Sequence, residues 1–124
     1  MYEYSAKLKR VVDGDTVDLL IDLGFNVWIQ HRVRLWGINT PETRTRDKEE
    51  KIRGLAAKKY LRELLRGSSS LVLRTEKEKK GKYGRILGII VCEVLDAEGN
   101  LDELTVNDQL IKEGHAVEYF GGKR

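Results

Sequence analysis

The stretch VDLLIDLGFNVWIQHRVRL (residues 17–35) decides the fold. Val17, Leu19, Ile21 and Leu23 occupy every second position, and Val33 and Leu35 do the same beyond GFN at 24–26. A period of two is the mark of strands with one face in a core and one in water. Gly24 and Asn26 carry the chemistry of a tight connection, so the stretch reads as a hairpin. Upstream, Tyr4, Ala6 and Leu8 alternate in the same way, and DGDT at 13–16 supplies a second turn. Three antiparallel strands in a meander follow, curled into one sheet.

Downstream the period changes. Between Asp47 and Arg66, Ile52, Ala56, Tyr60 and Leu64 fall four apart, with Ala57, Leu61 and Leu65 alongside, which predicts a helix. Asp47, Glu49 and Glu50 at its start, Arg66 in its last turn and Gly67 after it all agree with the helix dipole. Gly54 inside the helix costs about 1 kcal/mol relative to Ala, which points to a close backbone neighbour. A strand near Leu71 to Thr75, a charged loop EKEKKGK at 76–82 and an apolar strand from Arg85 to Leu95 come next. DAEGN at 96–100 then leads to a short helix near Val106 to Glu113, stopped by Gly114. About five strands with a long helix after the third predict a mainly β, α+β architecture. It is a five-stranded OB-fold barrel carrying two to three helices, one domain over residues 1–124.

A chain of 124 residues can bury a core without disulfides or structural metals. Its single Cys92 lies in an apolar run and reads as a small buried hydrophobe, so a disulfide framework and a cysteine metal cluster are both excluded. Lys and Arg number 23 against 20 Asp and Glu, a net charge of +3. With both signs interleaved, a nucleic-acid partner must be argued from particular positions. No apolar run is long enough to span a bilayer and the N-terminus has no signal pattern, so the expectation is an intracellular, cytoplasmic monomer without a membrane partner. A secreted mature form is compatible with the same text.

Polar groups collect at strand ends. Asp13 and Asp15 flank a glycine, which alone reads as a hairpin turn and in company as an oxygen ligand for a hard cation. In VRLWGINTPE (33–42), Pro41 holds Thr40 extended. Asn39 offers an amide oxygen, Thr40 a backbone oxygen and Glu42 a carboxylate, which with Asp15 form a partly watered Ca²⁺ environment. Each of these residues taken singly is also an ordinary polar strand end. Arg85 opens an apolar strand, where an unpaired guanidinium is costly, so it needs an anion: a neighbouring carboxylate or a phosphate diester. Arg34 raises the same requirement. Two arginines beside cation ligands form a constellation suited to phosphate.

These residues resemble the staphylococcal-nuclease-like (thermonuclease) domain family. The resemblance rests on DGDT, VRLWGINTPE, Gly54 with Ala57, YGR at 83–85 and VNDQLIKEGHA at 106–116, in family order across nearly the whole chain. It implies an OB-fold and a calcium-dependent nuclease, an endonuclease-type hydrolase with one Ca²⁺ ion or another divalent cation. Such an enzyme cuts DNA and RNA, single-stranded or locally frayed, and leaves 3′-phosphate ends. By position, Asp15 resembles the metal-binding aspartate and Thr40 the carbonyl ligand. Glu42 resembles the catalytic glutamate, and Arg34 and Arg85 the phosphate-binding arginines. Lys82 and Tyr83 fall where the family contacts a terminal phosphate, and Tyr83 suits a stacking platform. Asn39 stands in place of the second metal-binding aspartate, and Gly81 where an aspartate often precedes YGR by one residue. The lost charge predicts weaker Ca²⁺ binding.

The main rival reading is a catalytically weak or inactive OB-fold module that holds single-stranded nucleic acid or a protein ligand, for which Asn39 speaks. The tail EYFGGKR (118–124) offers Tyr119, Phe120, Lys123 and Arg124 to a strand, or is simply a frayed end. His31 and His115 lack the companions of a histidine metal site and read as surface or packing residues.

Overall fold

The expected hairpins form in sequence order: β1 (Tyr2–Asp13), β2 (Thr16–Asp22) and β3 (Trp28–Leu35) run antiparallel. The computed structural model describes residues 2–68, 70–80 and 86–120, with backbone alone for 76–80. At the β2–β3 turn Gly24, Phe25 and Asn26 take φ of 85°, 54° and 63°, the left-handed values that a tight hairpin needs. The inward set on β2 is the alternating one, Val17, Leu19 and Ile21, at 0, 0 and 2% exposure.

Strand β5 (Leu71–Lys80) pairs with β1, and β6 (Ile86–Leu95) pairs with β5. Strand β6 then meets β3 in a short parallel ladder, Val33 opposite Ile86, Arg34 opposite Leu87 and Leu35 opposite Gly88. That ladder closes five strands into a barrel, the OB-fold architecture. Its interior is filled by Val17, Leu19, Val33, Leu35, Leu73, Ile90 and Cys92. Burial raises the Cys92 thiol pKa, which keeps the sulfur an uncharged packing atom.

Helix α1 (Lys48–Arg66) starts where expected. Asp47 is its N-cap, and the Asp47 carboxylate accepts from the backbone N–H of Glu49 (3.0 Å) and Glu50 (3.3 Å), a cap worth about 1 kcal/mol. Its buried stripe is Gly54, Ala57, Leu61 and Leu65. Of the two rows in the sequence, the one through Ala57, Leu61 and Leu65 faces the core, while the other opens outward at Ile52, 68% exposed, and only its Tyr60 and Leu64 pack at the core's edge. The rotation follows from Gly54, the one position on the helix small enough to lie against the backbone of the Pro41–Glu42 loop. Helix α2 (Val106–Lys112) buries Val106, Asn107 and Leu110. Among the described residues these are the two helices, and neither is long and apolar enough to cross a membrane.

Three pieces depart from the sequence reading. The charged run expected as a loop continues β5 as far as Lys80, which pairs with Ile86. A run of alternating charges has no apolar face, so its periodicity is silent, and ladder pairing extends the strand regardless. Strand β7 (Leu101–Thr105), between DAEGN and α2, pairs with β6 as an edge whose first three residues are exposed. Finally, β4 (Ile38–Asn39) and β8 (Val117–Glu118) make a two-residue ladder, too short to leave any periodic trace.

Candidate functional site

The site is assembled from the β1–β2 turn and the exit of β3. Gly14 lies in that turn so close to helix α1 that a Cβ there would stand 2.8 Å from the Ala57 Cβ and 3.0 Å from the Thr40 Oγ1. This contact fixes Asp15 beside the 38–42 segment. The Asp15 carboxylate, 8% exposed as a residue, accepts from the Thr16 hydroxyl (3.0 Å) through Oδ1 and from the Thr40 N–H (3.2 Å) through Oδ2. Its backbone oxygen accepts from Leu35 N–H at 2.8 Å, which locks the turn to the end of β3.

Arg34 crosses from β3 to the same corner. Its Nη1 lies 3.3 Å from Asp15 Oδ2 and donates to the Leu35 carbonyl at 3.1 Å, and its Nη2 donates to the Asn39 side-chain oxygen at 3.3 Å. One guanidinium thus spans the two side-chain oxygens that the sequence reading assigned to a cation. Only 14% of the Arg34 side chain is exposed, so the three groups interact in a partly desolvated pocket, where charge interactions are stronger than in water.

Glu42 is brought to the rim by packing. Pro41 and Glu42 carbonyls press on Gly54 of α1, and the Glu42 N–H donates to the Glu50 carboxylate at 3.0 Å. One residue further, the Thr43 hydroxyl donates to Asp13 at 2.6 Å and ties the loop back to the first turn. Asp13 and Asp15 therefore play different parts, Asp13 bracing the loop and Asp15 facing Thr40 and Arg34. Thr40 is 4% exposed, whereas Glu42 is exposed, as a group that meets water must be.

Asp15, Arg34, Asn39 and Thr40 come together and Glu42 joins them along the chain. Arg85, Lys82, Tyr83 and Gly81 lie outside the described residues. The strand to which Arg85 leads begins at Ile86, opposite Val33 and one step from Arg34. His115 packs as expected, stacked on Tyr60 with ring centroids 4.8 Å apart, and it lines a shallow pocket together with Asn39 and Thr40. The tail reading is corrected as far as residue 120: Val117 pairs with Asn39, Tyr119 N–H donates to the Gly37 carbonyl (2.9 Å), and Phe120 packs edge-on against Trp36 at 5.7 Å. This end of the chain is a wall behind Asn39. Lys123 and Arg124 lie outside the described residues.

Two supports were missed in the sequence. Asn107, 3% exposed, donates to the carbonyls of Trp36 (2.8 Å) and Gly88 (3.2 Å) and accepts from Ile90 N–H (3.2 Å). It pins the 36–39 segment to the strand that closes the barrel. An Asn opening a helix after a strand hints at a backbone-binding role, yet names no partner. On the outer face, Asp18 pairs with Arg32 at 2.8 Å and Arg10 at 3.2 Å. The Arg32 hydrogen bond, with help from Arg10, holds the Asp18 carboxyl below its ordinary value against the opposing effect of burial.

The carboxylate of Asp15, the amide oxygen of Asn39 and the carbonyl of Thr40 fit a hard divalent cation in kind, since all are oxygen donors. They are spare in charge: Asp15 is the only carboxylate of the three, and among the described residues no group of three or more His, Cys, Asp or Glu gathers to hold a metal.

The chain belongs to the staphylococcal nuclease homologue family, whose model matches residues 32–124. It is 33% identical to the endonuclease YhcR of Bacillus subtilis over 95% of this chain and 9% of that protein. It is 34% identical to the thermonuclease of Staphylococcus intermedius over 91% of this chain and 58% of that protein. With the protein ParB of Escherichia coli the identity is 29%, covering 98% and 61%. The chain therefore spans between about a tenth and three-fifths of the length of these relatives.

Proposed function

We propose that this chain is a calcium-dependent phosphodiesterase that hydrolyses DNA or RNA and leaves 3′-phosphate ends. The observation that carries the reading is Arg34 bridging Asp15 and Asn39 beside Thr40, with Glu42 held at the rim by the Gly54 contact. Relatives named as nucleases over most of this chain support it.

Attack of water on the diester phosphorus breaks the bond to the 5′ oxygen, which leaves as the alcohol, and carries the phosphate from one negative charge toward two. Groups aimed at the equatorial oxygens therefore stabilise the transition state more than the substrate. Arg34 supplies such a group through its N–H donors, and Arg85 is assigned the second. Glu42, exposed to solvent, orients the attacking water and takes its proton. Asp15, Asn39 and Thr40 would hold the cation, which would supply further positive charge to offset the charge that develops on the phosphate. Lys82 and Tyr83 are assigned to the neighbouring phosphate and base of the strand.

The spare charge of the oxygen set favours one other reading, a binding module with little or no turnover. Incubation with single-stranded DNA and Ca²⁺, with and without chelator, separates the two. Digestion that chelator stops, and that Glu42→Gln lowers by at least 100-fold without moving the unfolding midpoint, is the expected outcome. Salt-sensitive retention of intact strands, with no digestion at any Ca²⁺ level, refutes the enzyme.

A further inference from the structure

Away from this corner, a groove of about 730 Å³ lies between β1 and α1. Six cationic side chains line it, Lys7, Lys9 and Arg10 from the strand and Lys58, Arg62 and Arg66 from the helix, and none of its described lining residues is acidic. The chain as a whole carries 23 Lys and Arg against 20 Asp and Glu. With these six set aside, the other 17 are outnumbered by acids, so the groove holds more positive charge than the entire net excess of +3.

The concentration has a local cost. Lys58, Arg62 and Arg66 are four apart on one helix stripe, where like charges each disfavour the helix by a few tenths of a kcal/mol. Lys9 sits in the register shift between Leu8 and Arg10, a bulge of the kind that re-aims side chains. Lys7 lies over Trp28 at 4.8 Å and Arg10 donates to Asp18. Lys9, Lys58, Arg62 and Arg66 have no carboxylate within 4.0 Å among the described residues.

The groove begins beside residues that shape the site, Lys58 following Ala57 on the helix. Its near end, Arg10, Val11 and Lys58, adjoins the Gly14–Ala57 contact that fixes Asp15 and Thr40, and its far end is at Ser68 and Ser70. From Lys58 to Arg66 the helix rises about 12 Å, the reach of roughly three phosphates in a stacked strand.

We propose that this groove grips the sugar–phosphate backbone of the strand being cut, a few nucleotides from the scissile bond. The proposal rests on the nuclease reading for the word "cut" and on charge complementarity for the word "grips". A concave groove lined by six cations, arginines able to donate in pairs among them, suits a chain of phosphates better than a flat lipid surface.

The test uses the Glu42→Gln chain in chelator, so that strands stay intact, and measures affinity for a 20-nucleotide single strand against salt. Changing Lys58, Arg62 and Arg66 together to Gln lowers the slope of log K against log salt by about 2 and the affinity at least 10-fold. Arg62→Lys with Arg66→Lys keeps the slope. If the triple variant does not fold, Lys58→Gln and Arg66→Gln singly each lower the slope by about 0.7. Unchanged slopes overturn the proposal. So does a triple-variant loss larger for polyglutamate or for phosphatidylserine vesicles than for the strand. Digestion of a long single strand by the unaltered chain in Ca²⁺ tests the nuclease reading separately, because it reads bond cleavage and not the salt dependence of affinity. If that strand stays whole while the slope falls as stated, the nuclease reading fails and the groove stands as a nucleic-acid surface.

Discussion

Replacing Gly54 by Ala should destabilise this protein, although in an exposed helix the same change is favourable by about 1 kcal/mol. A Cβ at position 54 would stand 2.6 Å from the Glu42 carbonyl oxygen, 2.7 Å from the Pro41 carbonyl oxygen and 2.8 Å from the Glu42 carbonyl carbon. All three are backbone atoms, so no rotamer change relieves them. Restoring ordinary contact at 3.4 Å moves the loop or the helix by about 0.8 Å. Overpacking of this sort costs about 1–3 kcal/mol, and against backbone atoms that cannot rotate away the upper part of that range applies, so the gain of about 1 kcal/mol in helix propensity is outweighed and a net loss of up to about 2 kcal/mol remains. The shift falls on the residue proposed to activate water, where a displacement of about 1 Å can lower turnover by about 100-fold. Urea unfolding and initial rates of DNA digestion measure the two effects. Ala56→Gly, on the exposed side of the helix, serves as the reference for propensity alone. A Gly54→Ala chain as stable as the parent and digesting at its rate would show that the close approach does not position Glu42.

Asn39→Asp restores a negative charge to the oxygen set, and half-maximal activity should need several-fold less Ca²⁺, read from calcium titrations of the two chains; superimposable curves would exclude Asn39 as a ligand. Asn107→Leu leaves the carbonyls of Trp36 and Gly88 and the N–H of Ile90 without their side-chain partner, a loss of about 2–4 kcal/mol measurable by urea unfolding, and a fall below 1 kcal/mol would refute its role as the pin. The Asp18 carboxyl has its pKa lowered in the folded state, so its contribution to stability is fully present above the unfolded value of about 3.9 and is lost as pH falls through the lower folded value. Asp18→Asn should therefore flatten the acid limb of stability below about pH 4, and the effect should be modest because Arg10 and Arg32 are 65% and 45% exposed; unfolding midpoints at pH 7 and pH 3 that fall equally in both chains would contradict it.

The barrel was legible because its long strands keep one face dry, so Val17, Leu19 and Ile21 report their own direction. The helix ends were equally plain, since Asp47 and Gly67 act on the backbone within a residue or two. What failed to show was structure fixed by distant partners. Strand β4 exists because Asn39 meets Val117, and β5 runs on through alternating charges because Lys80 meets Ile86. The helical period named both the Ile52 row and the Ala57–Leu61–Leu65 row without choosing between them, and the choice belonged to the Pro41–Glu42 loop pressing on Gly54. For the candidate site, sequence order brought Asn39, Thr40 and Glu42 together, the chemistry of strand-end polar groups added Asp15 and Arg34, and the resemblance to a family gave each a role. The direct ties between Arg34, Asp15 and Asn39 were not readable. Nor were the six cations of the groove, which come from segments about fifty residues apart and are diluted in a chain of nearly balanced charge.

The parallel ladder that closes the barrel joins residues numbered in the thirties to residues numbered in the eighties, and β1 meets β5 across a still longer loop. Contacts of such span are entropically slow to make, whereas the local turns of α1 are quick. Arg34 is itself one of the ladder residues, so a half-assembled chain can already hold its helices while the candidate site has no shape. Assembly of the candidate site during refolding therefore tracks the slowest topological step rather than the rise of helical signal.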